Sequence, residues 1–388
     1  MRRAVIVSAV RTPVGRARGQ LATVPAHILG AVAVKEAVRR AAIDPATIDE
    51  VIFGNLMNNE VNNMARVVAL QAGLPIEVPG VTLDRQCGTS LNSIAYAVML
   101  IESGNADVVV AGGVESDSRR NYVIDKPTMA FQGTLKVSET ILSPEHIGNP
   151  NMGITAENLA AMYSLTRREC DEFALWSHQK ASAAWDANLF AEQIVPVEVP
   201  TGKGKSNVVS TDEAFRRDAS LEAMAKLSPA FKPDGVVTAG NSSPQSDGAG
   251  AVVVMEKSKA KDMGLEILAE FKGFASVGVD PNIMGIGPVP ATRKLLQRTG
   301  VNLEQIDLIE MNEAFAAQSL PCMRELGLAP EKLNVNGGAI ALGHPLAGTG
   351  AILTTKILYE MKRRDAHLGL VTFCCGGGQG VAALFERN

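Results

Sequence analysis

Aromatic residues make up only 4% of this 388-residue chain, and no charge of one sign dominates: 37 Lys and Arg stand against 41 Asp and Glu, for a formal net charge of -4. Such a balance gives no reason to expect a nucleic-acid partner, although it leaves local basic patches and an anionic substrate open. Neither Cys-x-x-Cys nor His-x-x-x-His occurs, so no metal site is expected. No apolar run reaches the roughly 18 residues needed to span a bilayer. The opening Met1-Arg2-Arg3 passes directly into the β-branched run Ala4 to Val10, which reads as a strand and not as a signal peptide. Five cysteines, an odd number without a secretory leader, point to free thiols in a reducing compartment, and the cytoplasm is the expected location.

What the chain has is glycine, 36 of them, within a composition that is 46% hydrophobic. That mixture suits a soluble α/β enzyme with tight strand-to-helix turns, and the length suits two or three structural units with ample buried volume.

The stretch around Cys87 organises the rest. Apolar residues at Leu91, Ile94, Ala95, Val98 and Ile101 follow helical spacing, and Ser103-Gly104 supplies an end, so Cys87 lies just before a helix. Unpaired N–H groups and the helix dipole there are expected to favour thiolate over thiol. A lone cysteine is more often a small buried apolar residue, so Cys87 needs partners to count as a nucleophile.

In chain order, a strand at the start is followed by a helical pattern through Ile28, Leu29, Val32, Val34 and Val38, then a strand from Ile48 to Asn55. The Cys87 helix and the run Val108 to Ala111, ending at Gly112-Gly113, complete a first half. A second half repeats the pattern: helical residues Ala291 to Arg298, a strand from Ile306 to Asn312 at an offset of 258, a helix from about Thr349 to Met361, and Leu370 to Gly378. His344 then occupies the corner in the second half that Cys87 occupies in the first. Between the halves the texture becomes polar, with helices at Met152 to Tyr163 and Arg167 to Asn188, the stretch Asp171 to Trp185 suiting a surface helix. The division expected is 1–114 continued at 244–264, an inserted loop domain at 115–243, and 265–388.

Four loops combine reactive side chains with small residues: Gln86-Cys87-Gly88, Asn312 to Phe315, Gly343-His344-Pro345 and Phe373 to Gly378. Each falls at a strand end or helix start, where open α/β folds bind ligands. Together they would supply a thiol nucleophile, an imidazole base, a second thiol and backbone N–H donors. Singly, each has an ordinary reading: His344 as a hydrogen-bonded turn residue, Cys374 beside Cys375 as a buried strand end, Asn312 as the cap of a helix starting at Glu313. Cys170 and Cys322 fit packing, and His27, His146, His178 and His367 fit solvated positions.

Taken together, Val7 to Pro13, Arg85 to Gly88, Met152 to Asn158, Val237 to Asn241, Met284 to Pro288, Asn312 to Phe315 and Gly337 to Pro345 give the chain a resemblance to the thiolase family, acetyl-CoA acetyltransferases and 3-ketoacyl-CoA thiolases, over almost its full length. The resemblance implies a duplicated αβαβα five-layered fold with an inserted loop domain that receives coenzyme A. It implies thiolysis of a 3-ketoacyl-CoA, or the reverse Claisen condensation, with Cys87 acylated, His344 as its base and Cys374 as acid and base at the α-carbon or leaving group. Asn312 would hold a water that forms one oxyanion site with His344, and the N–H groups of Cys87 and Gly376 the other. Arg216, with Arg217 a close competitor, would lie near the adenine end of coenzyme A, Ser243 would contact its pantetheine arm, and Met152 and Phe315 would line the substrate site. No metal or prosthetic group is implied, coenzyme A being a substrate, and a homodimer or homotetramer is expected.

The chain departs from the family at Thr89-Ser90 after the nucleophile, at Asp84 where asparagine is common, at Ala347-Gly348-Thr349, at Pro244, and at Asn151, where acetoacetyl-CoA-forming members carry histidine. These departures leave acyl chain length open. Two other readings remain, an irreversible ketoacyl synthase and an inactive thiolase-like protein that binds acyl-CoA or lipid. The first class carries two histidines where this chain has His344 and Cys374, and the intact thiols weigh against the second.

Overall fold

In the computed structural model, which describes residues 2–127 and 137–387, nine of the ten strands of a mixed sheet run in an order that repeats itself. Counted outward from the middle, the first half runs Ala4–Arg11, Ser246–Glu256, Val108–Ser116, Glu50–Gly54 and Gly80–Leu83. The second half runs Ala269–Gly278, Gln379–Glu386, Leu368–Cys375 and Leu308–Met311, with Leu333 bridging in parallel to Ile309 where a fifth strand would lie. In both halves the strand that comes last in the chain lies antiparallel between the first and the next-to-last, and the second in chain order runs parallel to the next-to-last. Among the described residues the halves pair strand to strand at Val5 with Glu270 and Ile6 with Ala269. This is the duplication expected from the 258-residue offset.

Runs such as Val108-Val109-Val110 and Ala251 to Met255 are buried on both faces, as strands covered by helices on each side must be. Helices Ala26–Ala41 and Met64–Gln71 cover the outer face of the first half, and Pro288–Thr299 and Ala316–Leu326 that of the second. Helices Thr89–Glu102 and Thr349–Arg364 form the middle layer, joining Ile52 and Val109 of one sheet to Val371 and Phe385 of the other in one core. Both are buried on nearly every side, Thr89–Glu102 largely with apolar residues and Thr349–Arg364 with Thr354, Thr355, Lys356 and Glu360 among its buried residues. They pack backbone to backbone: a Cβ at Gly350 would stand 2.3 Å from the Leu91 nitrogen, and the Ala351 N–H donates to Ser90 Oγ at 2.9 Å.

The insertion after Ser116 carries helices Met152–Met162 and Arg167–Asp186 and a hairpin of Val197–Gly202 with Lys205–Val209; it also includes residues 128–136, outside those described. Thr166 and Glu169 form a capping box that starts the long helix. That helix is not a surface helix as expected. It buries Cys170, Phe173, Ala174 and Ala181 against Ala316, Ala317, Ile340 and Ala341 of the second half. The insertion is also pinned to the first strand, where the buried Arg11 guanidinium makes two bonds to Asp212 (2.7 and 2.9 Å) and one to Gln193.

Candidate active site

Cys87 occupies the turn between strand Gly80–Leu83 and helix Thr89–Glu102, whose N-cap is Gly88. Gln86 has φ of 49°, and Thr89 Oγ1 closes the turn by accepting from the Arg85 N–H (2.8 Å) and donating to the Gln86 carbonyl (2.6 Å). The Cys87 sulfur receives the N–H groups of Gly376 and of its own residue. The resting thiolate expected from the helix start does not follow. Burial pushes the thiol up to about 11, the two N–H groups oppose this, and the carboxylates of Glu115 and Asp84 add to it. A helix terminus contributes about 1 kcal/mol, less than one pKa unit, so desolvation wins.

His344 is buried at the matching corner, its N–H held by Ser246 Oγ at 3.0 Å. Its Nδ1 lies 2.6 Å from Thr349 Oγ1, which donates its own proton to the Pro345 carbonyl at 2.9 Å. The hydroxyl can therefore only accept from Nδ1–H, which leaves the lone pair on Nε2. That nitrogen faces Asn312 Nδ2 at 3.3 Å. Burial lowers His344 to about 4, so the ring is neutral, and free to take a proton, at neutral pH. Asn312 does not cap a helix: the next one starts at Ala316, and the Asn312 N–H continues the sheet to the Thr372 carbonyl. Its Oδ1 is buried with no protein partner, an acceptor suited to a water.

Side chains alternate along strand Leu368–Cys375. Cys374 faces Met284 and Ala314, with Met152 and Phe315 packed alongside, whereas Cys375 faces the central core with Phe373 and Val381. Burial pushes both thiols well up, and the Cys87 thiol faces each. The Cys375 sulfur accepts the Gly88 N–H, so it sits beneath the nucleophile turn.

Two buried carboxylates went unread in the sequence. Glu313 accepts from Ser177 Oγ (2.6 Å), Asn334 Nδ2 (2.7 Å) and the Ile340 N–H (3.2 Å), tying the inserted helix and the His344 approach to the Asn312 loop. Glu115, pushed up to about 7 by burial, accepts the N–H groups of Met57 and Ala347 and so joins the first half to the loop after His344.

Beside these groups lies a cavity of about 310 Å³ whose walls include Arg16, His178, Arg216, Ser242, Pro244 and Ile340. The segment that floors it pairs at Ser242 with Phe315 and at Gln245 with His344, so the cavity and the His344 corner share one strip of backbone. Arg216 lines the cavity. Arg217 is instead engaged with Asp186 at 2.8 Å and lies over the Phe215 ring. The Ser243 hydroxyl turns to the Ala314 carbonyl at 3.1 Å, leaving Ser242 and Pro244 on the cavity wall. His178 is not solvated: it is buried, its Nδ1 accepts the Arg216 N–H at 3.2 Å, and burial followed by the Arg216 charge lowers it to about 4. Among the described residues no cluster of His, Cys, Asp and Glu is arranged to hold a metal ion.

Residues 4–258 match the family described as "Thiolase, N-terminal domain" and residues 265–387 that described as "Thiolase, C-terminal domain". The chain is 47% identical to an acetyl-CoA acetyltransferase of Pseudomonas aeruginosa and 47% identical to that of Escherichia coli, covering all of both partners in each case. It is 43% identical to a probable acetyl-CoA acyltransferase of Staphylococcus aureus, again over the whole of both chains. Among solved structures, the Bacillus anthracis acetyl-CoA acetyltransferase matches at a TM-score of 0.95 and 43% identity, and human mitochondrial 3-ketoacyl-CoA thiolase at 0.94 and 40%; each covers 100% of this chain and 99% of the other.

Proposed function

Because this chain belongs to the thiolase family and is an acyltransferase of that class, we propose that it cleaves 3-ketoacyl-CoA by thiolysis, or runs the reverse condensation, through a thioester on Cys87. The observation that carries this reading is the paired corner. The Cys87 thiol lies beneath the Gly376 N–H with Cys374 facing it, and the matching turn of the second half holds a neutral imidazole whose Nε2 is kept free of a proton by Thr349.

His344 takes the thiol proton as the Cys87 sulfur attacks the 3-keto carbon, and the N–H groups of Cys87 and Gly376 receive the oxyanion. The Cα–Cβ bond then breaks and its electron pair passes into the thioester, giving an enolate held by the His344 Nε2–H and a water on Asn312. Cys374 protonates the α-carbon and acetyl-CoA leaves. A free coenzyme A thiol gives its proton to the Cys374 thiolate and attacks the acyl group on Cys87, whose sulfur departs and recovers its proton from His344. Two easier steps replace one difficult exchange. Arg216 and Arg16 suit the phosphates and adenine end of coenzyme A, and the strip from Ser242 to Gln245 suits the pantetheine arm leading to His344. Relatives named as acetyl-CoA acetyltransferases favour neither the ketoacyl synthase nor the inactive binder.

Asn151 is an exposed helix cap that accepts the Gly153 N–H at 2.9 Å and brings no imidazole to the site, while Met152, Met284 and Phe315 give Cys374 an apolar surround. On that basis 3-ketoacyl-CoAs longer than four carbons turn over at least as well as acetoacetyl-CoA. Initial rates across a chain-length series check this, and strict four-carbon specificity contradicts it. Edge strand Gly80–Leu83 exposes Val81, with Ile76 and Leu70 nearby, which supports a homodimer or homotetramer, measurable by light scattering. Incubation with acetyl-CoA adds one acetyl group, mapped to the Cys87 peptide and lost with turnover in Cys87→Ala. Acetylation confined to Cys170 or Cys322 sinks the assignment.

A further inference from the structure

The turn that presents Cys87 is left-handed at Gln86, with φ of 49°, a conformation that an L side chain keeps only when its neighbours hold it. On the far side the hold comes from Thr89, as described, and from the Gly88 N–H, which donates to the Arg85 carbonyl at 3.0 Å. On the near side the Gln86 N–H donates to Asp84 Oδ1 at 2.7 Å. The same oxygen accepts Gln86 Nε2 at 3.3 Å. This lays the Gln86 side chain beside Gly376, with Oε1 only 3.2 Å from where a Gly376 Cβ would stand. One exposed carboxylate therefore fixes both the backbone and the side chain of the residue before the nucleophile.

We propose that Asp84 is the positioning residue of the nucleophile, its carboxylate locking Gln86 in the turn that delivers the Cys87 sulfur to the Gly376 N–H. The proposal rests on the reading of Cys87 as the acylated residue. It has an electrostatic consequence, because the brace is an anion. The charged and titratable groups facing Cys87 are Glu115 at the end of strand Val108–Ser116, Cys374 and Cys375 at the end of strand Leu368–Cys375, and Asp84 on the turn itself, where Arg85 faces Cys375. Of the two carboxylates that oppose the thiolate, Glu115 is buried and held by Met57 and Ala347, whereas Asp84 meets solvent and is the one that salt can screen.

Substitutions separate the two effects. Asp84→Asn keeps an acceptor oxygen and removes the charge; Asp84→Ala removes both. Gln86→Gly removes the need for a brace, because glycine adopts positive φ freely. Acetylation of Cys87 by acetyl-CoA in a single turnover, followed by quenching and mass measurement, should be about tenfold slower in Asp84→Ala and within about threefold of the parent in Asp84→Asn. The double variant Asp84→Ala, Gln86→Gly should recover most of the loss. The pH midpoint for alkylation of Cys87 by iodoacetamide at low salt should fall by about half a unit in Asp84→Asn and not in Glu77→Gln, an exposed acid away from the turn. Added salt should lower the parent midpoint toward that of Asp84→Asn. Equal slowing in the asparagine and alanine variants, or no rescue by glycine at 86, overturns the brace; identical midpoints in parent and Asp84→Asn overturn the charge effect. Persistent acetylation in Cys87→Ala would instead sink the nucleophile assignment and is read separately.

Discussion

Thr349 decides which ring nitrogen of His344 carries the proton, and it does so only because its own hydroxyl is committed to the Pro345 carbonyl. Thr349→Val keeps the shape and removes the acceptor, so we expect kcat to fall by about tenfold to a hundredfold with little change in KM for coenzyme A, in steady-state assays. A larger effect on KM than on kcat would contradict the tautomer argument. The adjacent thiols provide a second test. With Cys374 on the substrate side and Cys375 in the core, Cys374→Ala should still be acetylated by acetyl-CoA but lose exchange of the acetyl methyl protons with deuterated water. Cys375→Ala should keep both, and mass spectrometry distinguishes them; the reverse pattern means the two roles are exchanged. Cys87, His344 and Cys374 were legible because each stands at a strand end or helix start beside small residues. Thr349 was legible only as a change of pattern, since a hydroxyl reveals its partner only in three dimensions. The protonation state of Cys87 was misread for a similar reason: sequence displays a helix start but not how much protein closes over the sulfur.

Helix Arg167–Asp186 carries its buried stripe at Cys170, Ala174, Ser177 and Ala181, and His178 lies beside that stripe. The helical spacing was present in the sequence, but intervening charges disguised it as a solvated face. The buried ring has a measurable signature. His178 is lowered to about 4 in the folded protein and titrates near 6.5 when unfolded. Between those values the unfolded chain binds the extra proton, so the stability this residue leaves intact above pH 6.5 is lost as the pH falls toward 4. His178→Gln does not titrate. Its melting temperature should therefore drop less than the parent's between pH 6.5 and 4.5, by the equivalent of about 2 kcal/mol, in thermal unfolding followed by circular dichroism. Parallel curves would mean that the ring is solvated. Strands Ser246–Glu256 and Ala269–Gly278 were not read at all, because glycines and scattered polar residues leave neither a steady alternation nor a clean apolar run.

At the scale of the molecule, the halves are joined less by the sheet than by the two middle helices, since among the described residues two register pairs link the strands. Gly350 is the closest point of that contact. Gly350→Ala would drive a methyl group into the Leu91 backbone, and we expect a loss of several kcal/mol, read as a large fall in melting temperature or as insoluble protein; a melting temperature within a degree or two of the parent's would contradict the packing described. The duplication was legible from spacing, because both copies kept the lengths between their landmarks while their side chains diverged. One consequence concerns synthesis. The nucleophile belongs to the first half, whereas Asn312, His344 and Cys374 all belong to the second, and Thr349, which readies the base, opens the helix that closes the seam. A chain emerging from the ribosome therefore displays Cys87 long before the side chains proposed to work with it have been made. Until the final helix docks, the growing polypeptide has a thiol of ordinary reactivity with neither base nor paired partner beside it, so directed acyl transfer arrives together with the completed fold.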